Sequence, residues 1–436
     1  MLQDRFGLPL TIASEAARDA YVEAVDLMLS ANAGAEPLLR QAIAEEPGFA
    51  LAHAALARLC QMQMRGPEAA EAATAAREFA TSASERERGH VEAVALLVEG
   101  RGADAYAAVR AHAQAQPRDA VPLSLALGVY GLIGFSGRRE HHEEQRDLLL
   151  GLADAWGEDW WFLTYLGWSH VETGAPGRGI PMLDRGLELH PRNAHGAHAR
   201  AHGYYEAGEP ETGGAFIEGW LPQYDRAGQL HCHLSWHRAL FALQQGDVDT
   251  AMSLYAGAID PEVAQSPPLF TLADAASLLW RLGAYGHPVD AGEAQRVAAF
   301  AARAFPHAGL AFADVHASLA AAAAGDRVGL DQRTGEVDAL LAERRLPAGP
   351  AVAAMCRGIA AFGNGHYDIA IDHLEGAMAD LPRIGGSHAQ RDVIEDSLIV
   401  AYLRAERREQ AETAMRRRVA ERAGHLDANW LARLAG

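Results

Sequence analysis

The chain has 436 residues, a formal net charge of −19 and three cysteines. That charge excludes a broad polyanion-binding surface, so neither nucleic acid nor an anionic bilayer is an expected partner. Cys60, Cys232 and Cys356 lie far apart and form no C-x-x-C, which excludes a disulfide framework and fits a reduced, cytoplasmic chain. The start, MLQDRFGLPLTIASEAARDAY, has no basic run followed by an apolar one, so no signal peptide is expected. No stretch reaches the roughly 20 apolar residues of a membrane-spanning helix.

Taken in chain order, the sequence repeats one unit. Residues 1–117 form the N-terminal repeats: AEPLLRQAIAEEPGFALAHAALARLC joins one helix pair to the next, and SASERERGHVEAVALLVEGRGADAYAAVRAHAQAQPRD is a pair ending at Pro117. Residues 118–160 break the rhythm with GVYGLIGFSGRREHHEEQRD, and His141-His142-Glu143-Glu144 reads as a solvated helix start. Residues 160–308 form the central repeats, with turns at Gly174-Ala175-Pro176, at Gly208-Glu209-Pro210 and in QQGDVDTA; DPEVAQSPPLF lengthens a later connection. Residues 309–436 close the array with turns in AAAGDRVG, FGNGHYDIA and RAERREQA. Equivalent turns recur about every 34 to 40 residues, the spacing of helix-turn-helix repeats. Small residues let paired helices approach, and a proline after the second helix stops it by removing an amide donor. Valine and isoleucine fall at helical and not alternating spacing. The expected fold is all-α: a single right-handed superhelical solenoid of about ten to twelve stacked antiparallel helix pairs. Such an array escapes the domain-size limit because each unit packs only on its neighbours. The irregular stretches read as insertions between repeats or as loops that shape a pocket.

The segments GLPLTIASEAARDAYVEAVDLML, NAHGAHARAHGYYEAGEPETGGAFIEGW, LHCHLSWHRALFALQQGDVDTAMSLY, DAASLLWRLGAYG, LAFADVHASLAAAAAGD and IGGSHAQRDVIEDSLI follow in order along nearly the whole chain. In these the sequence resembles the tetratricopeptide repeat protein 38 family. The resemblance implies an α-helical repeat fold, a cytoplasmic setting and first helices that line a concave inner surface. It implies little about substrate.

Residues three, four and seven apart share a helix face. His195, His198 and His202 therefore make one stripe, and His233 and His237, with Trp236 alongside, make another. On inner helices of successive pairs both stripes would face a common space. Asp274, then Asp314 with His316, then His388, Gln390, Arg391 and Asp392 are further contributors. A carboxylate at 314, amid apolar residues, is costly to bury unpaired. GGSHAQRD opens a helix, where amides and dipole favour an anion and Arg391 could grip a carboxylate or phosphate. Trp168, Trp236 and Trp280 read as core packing, and Cys232 as a small buried hydrophobe. No HExxH occurs and no metal is expected; no nucleophile elbow, phosphate loop or dinucleotide fingerprint points to a cofactor.

Three functions remain open. One is binding of a small polar or anionic ligand, or a peptide terminus, in a concave pocket lined by His, Trp, Arg and Asp. Another is a hydrolase or lyase in the same pocket, its acid-base chemistry carried by His316 with Asp314, by His388 with Asp392, or by the group of His198, His233 and His237. The third is a protein-protein scaffold with incidental histidines.

Overall fold

The computed structural model describes residues 1–422 and, beyond them, Asp427, Trp430 and Leu431. Alanine-rich amphipathic stretches, joined in pairs by left-handed turns, fold into helical hairpins. The first three pairs are α1 (Glu15–Leu29) with α2 (Ala35–Glu45), α3 (Ala50–Met62) with α4 (Gly66–Ala80), and α5 (Glu85–Val98) with α6 (Gly102–Ala115). Three short helices interrupt them: α7 (Ala120–Ser124), α8 (His141–Leu150) and α9 (Ala153–Trp156). The rhythm resumes with α10 (Trp160–Glu172) and α11 (Pro176–Leu189), α12 (Ala194–Ala207) and α13 (Pro210–Trp220), α14 (His231–Gln244) and α15 (Val248–Leu254). It ends with α16 (Pro268–Ala284) and α17 (Ala291–Ala304), α18 (Ala311–Ala323) and α19 (Arg327–Ala342), α20 (Pro350–Gly363) and α21 (Tyr367–Met378), α22 (His388–Arg404) and α23 (Arg408–Glu421). Among the described residues there is no strand, only a single bridge between Gln3 and Pro9. The architecture is the tetratricopeptide-like solenoid expected.

The turns are where the sequence marks them. Gly174, Gly208, Gly246, Gly325 and Gly365 all have φ between 69° and 77°, the left-handed region that ends a helix without a Cβ penalty. Close approach needs glycine at another point: a Cβ on Gly179 would lie 2.3 Å from the carbonyl oxygen of Gly167, so α10 and α11 touch backbone to backbone. No helix of the described residues is long and apolar enough to cross a membrane. All three cysteines are free and buried.

The array departs from strict neighbour-to-neighbour stacking. The turn after α1 reaches the central repeats: Ala194 N donates to Ser30 O (3.0 Å), and Asn32 Nδ2 to Arg192 O (2.9 Å). The loop before α8 reaches the C-terminal repeats: Arg383 donates to Gly137 O (2.9 Å), and Gln390 Nε2 to the Tyr130 hydroxyl (2.9 Å). Helix α22 is buried around nearly its whole circumference, from Ala389 and Arg391 to Ile399 and Tyr402. A helix without a solvent face belongs in an interior. Its side chains and N-terminal amide bond α10 through Glu172, α12 through Tyr205 and α16 through Arg281.

The N-terminal repeats carry their own polar core. Asp119 accepts from Arg86 Nη1, His90 Nδ1 and His112 Nε2, each at 3.0 Å, joining α5, α6 and α7. Burial pushes the Asp119 carboxyl up, but His90, His112 and Arg86 overcome this and hold it well below the usual carboxylate range. A depressed folded-state pKa stabilises above the unfolded value, about 3.9, and that stability is lost as pH falls. Urea midpoints should therefore decline below about pH 4. The Asp119→Asn variant should be weaker at neutral pH and flatter in acid; identical acid profiles would exclude this role.

Candidate functional site

The two histidine stripes do meet. Asn193 starts α12, its side chain tied by Nδ2 to Thr164 Oγ1 (3.0 Å) on α10, which sets the rotation of the helix. His198 and His202 then face α14, and His233 and His237 face back. Ring centroids lie 4.6 Å apart for His198–His202 and His202–His237, 4.7 Å for His198–His233 and 4.8 Å for His233–His237. One nitrogen from each of the four can be chosen so that all lie within 4.8 Å of one another. His198 is 8% exposed and the other three at most 1%.

Two carboxylates back this cluster. Asp274, on α16, accepts from His233 Nδ1 (2.8 Å) and from the Cys232 thiol (3.6 Å). Glu172, the last residue of α10, is fully buried and lies 2.8 Å from His202 Nδ1, in ion-pair range but too oblique for a good hydrogen bond. The Nε2 atoms of His202 and His198 are 2.9 Å apart. His237 is fully buried with neither ring nitrogen bonded. Trp236 stacks on His233, its ring planes 12° apart, and donates to Ser277 Oγ (3.0 Å). It packs as core, as does the thiol of Cys232, which burial pushes well above its ordinary pKa.

The electrostatics follow from burial. Desolvation, reinforced by the neighbouring imidazoles, holds His198 and His237 well below the ordinary histidine value. Asp274 is raised by burial in spite of His233. Burial also works to raise Glu172, but His202, His388 and His142 dominate and hold it well below the carboxylate range.

The remaining predicted residues are divided. His195, one turn from His198, does not join the four; it faces Tyr165, ring centroids 5.7 Å apart, and burial lowers it to about 4. Asp314 and His316 do not pair, because residues two apart point to different helix faces. Asp314 takes Arg333 Nη1 and the Gly309 amide, each at 3.1 Å, and burial raises it to about 6. His316 Nδ1 donates to the Phe312 carbonyl (2.7 Å). Nor are His388 and Asp392 partners: His388 Nδ1 sits 3.5 Å from Glu206, while Asp392 is held by Arg422 and by the Tyr205 hydroxyl (2.7 Å).

The start of α22 also corrects the expectation of an open anion site. Gln390 serves a capping box with Ser387. The amide of His388 donates to Glu172 Oε2 (3.0 Å), so the anion at this helix end is an internal one. Arg391 is buried against Gly386 O and the Nε2 atoms of His142 (3.2 Å) and His141 (3.5 Å). His141 and His142 are therefore not a solvated helix start; they are 0% and 4% exposed.

Beside the cluster opens a cavity of about 1420 Å³. Both irregular stretches wall it, through Gly128–Phe135 and Gln265–Phe270, so they shape a pocket. Its surface is mostly apolar, with Tyr130, Phe135, Trp168 and Phe270 among the lining residues, and His195 and His198 reach it from α12. Sequence reasoning missed Arg58, also in its wall. The guanidinium bonds only Gln61, and no carboxylate among the described residues pairs with it. Burial lowers it to about 10. Glu172 was missed too; the available signal was a carboxylate one turn from Trp168 on the apolar helix WWFLTYLGWSHVE.

No family model matches the chain. Solved structures with similar stacked hairpins include the human IFIT1 dimer with m7Gppp-AAAA, 15% identical, covering 100% of this chain and 98% of that one, TM-score 0.44. Yeast Tom70 is 15% identical over 92% of this chain and 91% of its own, TM-score 0.31. A tetratricopeptide repeat protein from Parabacteroides merdae ATCC 43184 is 15% identical over 70% and 99%, TM-score 0.30.

Proposed function

We propose that this chain, a member of the tetratricopeptide repeat protein 38 family by its ordered segments, binds a small molecule with an apolar body and an anionic head. The carrying observation is the cavity of about 1420 Å³, mostly apolar, with the unpaired Arg58 in its wall. Known ligand pockets span roughly 300–1,000 Å³, so there is room for a molecule of that class. An arginine without a carboxylate partner in a partly desolvated wall is a strong site for an anion. Tyr165, whose ring lies 5.7 Å from that of His195, lines the same cavity as Arg58, which supports a site shared by the cation and the histidine stripe. Nucleic acid remains an unexpected partner for a chain of net charge −19.

Octanoate, octyl phosphate and octanol share a tail and differ in head group. Quenching of Trp168, in the cavity wall, should report tighter binding of the two anions than of octanol. Arg58→Gln should weaken the anions about 10- to 100-fold, the size of a lost charge-assisted hydrogen bond, and leave octanol unchanged. Equal affinity for all three in the wild type, or no binding, would refute the reading.

The enzyme reading keeps one supporting feature, the His233–Asp274 pair. The carboxylate fixes the Nδ1–H tautomer and leaves Nε2 as the basic nitrogen. The pair lies behind the cavity wall, which of the four histidines only His198 reaches, so a reacting group would have to meet the cluster there.

A further inference from the structure

We propose that His198, His202, His233 and His237 together bind one transition-metal dication, with Glu172 and Asp274 orienting two of the ligands from outside. This goes beyond the binding of an organic anion and stands or falls separately from it.

The donor set comes first. Four imidazoles from two helices present nitrogens within 4.8 Å of one another. Tetrahedral coordination at 2.0–2.1 Å needs ligand atoms about 3.4 Å apart, within reach of modest ring rotations. The spacing on each helix, four residues, puts both rings of a pair on one face.

The second shell is also present. A metal-bound histidine usually gives its other ring N–H to a carboxylate, which fixes the tautomer and raises basicity. His233 does so to Asp274 at 2.8 Å, and His202 Nδ1 lies 2.8 Å from Glu172. In each ring this leaves Nε2 as the ligand atom, and the Nε2 of His202 already meets that of His198.

The third observation is what the cluster lacks. A buried polar atom without a partner costs of the order of 1–3 kcal/mol, yet His237 is fully buried with neither nitrogen bonded. A cation at the centre would engage that ring and would bring two positive charges to a cluster flanked by two buried carboxylates. Those carboxylates offset part of the charge that the buried medium penalises.

The donor chemistry selects the ion. Imidazole suits zinc, copper, iron and nickel, whereas calcium and magnesium require oxygen ligands. His198, which lines the cavity, places the ion at the cavity floor.

Untagged full-length protein, stripped with chelator, should take up one zinc or one cobalt per chain, and the cobalt form should show visible ligand-field bands of an imidazole site. Calcium and magnesium should not compete. His237→Gln should abolish the bands with the circular dichroism preserved. Glu172→Gln and Asp274→Asn should each weaken cobalt about 10- to 100-fold, as outer-shell losses do. The proposal is overturned if the wild type binds none of zinc, cobalt, copper, nickel or iron, a result that needs no variant to fold. It is equally overturned if His237→Gln binds like the wild type, which would place the metal on other histidines. Octanoate titrated into the metal-free protein separates the two readings: anion binding without metal uptake sinks only the metal site, and the reverse sinks only the anion pocket.

Discussion

Glu172→Ala is expected to destabilise the protein by about 3–5 kcal/mol, the usual result of removing one partner from a buried charged network. The carboxylate lies 2.8 Å from His202 and 3.5 Å from His142, and accepts from the amide that opens α22 (3.0 Å). One side chain therefore joins α8, α10, α12 and α22, elements far apart in sequence. Removing it leaves the His388 amide without its acceptor and takes from Arg391 the carboxylate that acts on it most strongly. A loss of that size is a large fraction of the roughly 5–15 kcal/mol that holds a domain together. Glu172→Gln keeps the shape and the acceptor for the His388 amide, so its cost should be clearly smaller. Urea unfolding followed by circular dichroism measures both; an alanine variant within about 1 kcal/mol of wild type would remove the keystone role.

The second large effect is expected at Asp396. This carboxylate accepts from Arg281 Nε (3.0 Å), the Tyr285 hydroxyl (2.7 Å) and Arg418 Nη1 (2.7 Å), tying α16 to α22 and α23. Arg281 and Arg418 are 2% and 7% exposed. Asp396→Ala leaves two buried guanidinium groups without this partner, again about 3–5 kcal/mol. The double variant Asp396→Ala with Arg281→Met, which removes a charge as well, should recover part of the loss. Additive costs in that cycle would mean that the two residues are not coupled. Hydrogen exchange should show α22 losing protection with α16, since the two helices share the carboxylate.

These two carboxylates also explain what can be read from a repeat sequence. The hairpins were legible because their causes are local. A glycine such as Gly208 or Gly246 is needed for a left-handed turn, and the apolar rows fall at helical spacing whatever lies beyond the next repeat. The histidine stripes were legible for the same reason: His198 with His202, and His233 with His237, share faces by helix geometry, and the array places α12 beside α14. Nearest-neighbour packing carries that information from one unit to the next.

The pairings that crossed the array were not legible. Asp314 with His316 and His388 with Asp392 looked like dyads in sequence, yet each member found another partner, Arg333 or Arg422 among them, on a different helix. Glu172 drew no reading from the sequence and is the anion for α22. Arg58 carried no signal in the sequence and lies in the cavity wall. Helical periodicity and turn chemistry, set by backbone sterics and local burial, are enough to specify the solenoid and its histidine rows. Which buried charges meet, and where a cavity stays open, depends on the long-range curl that brings α22 and the 118–160 stretch against the central helices. That curl sums small rotations over many interfaces, and no short segment encodes it.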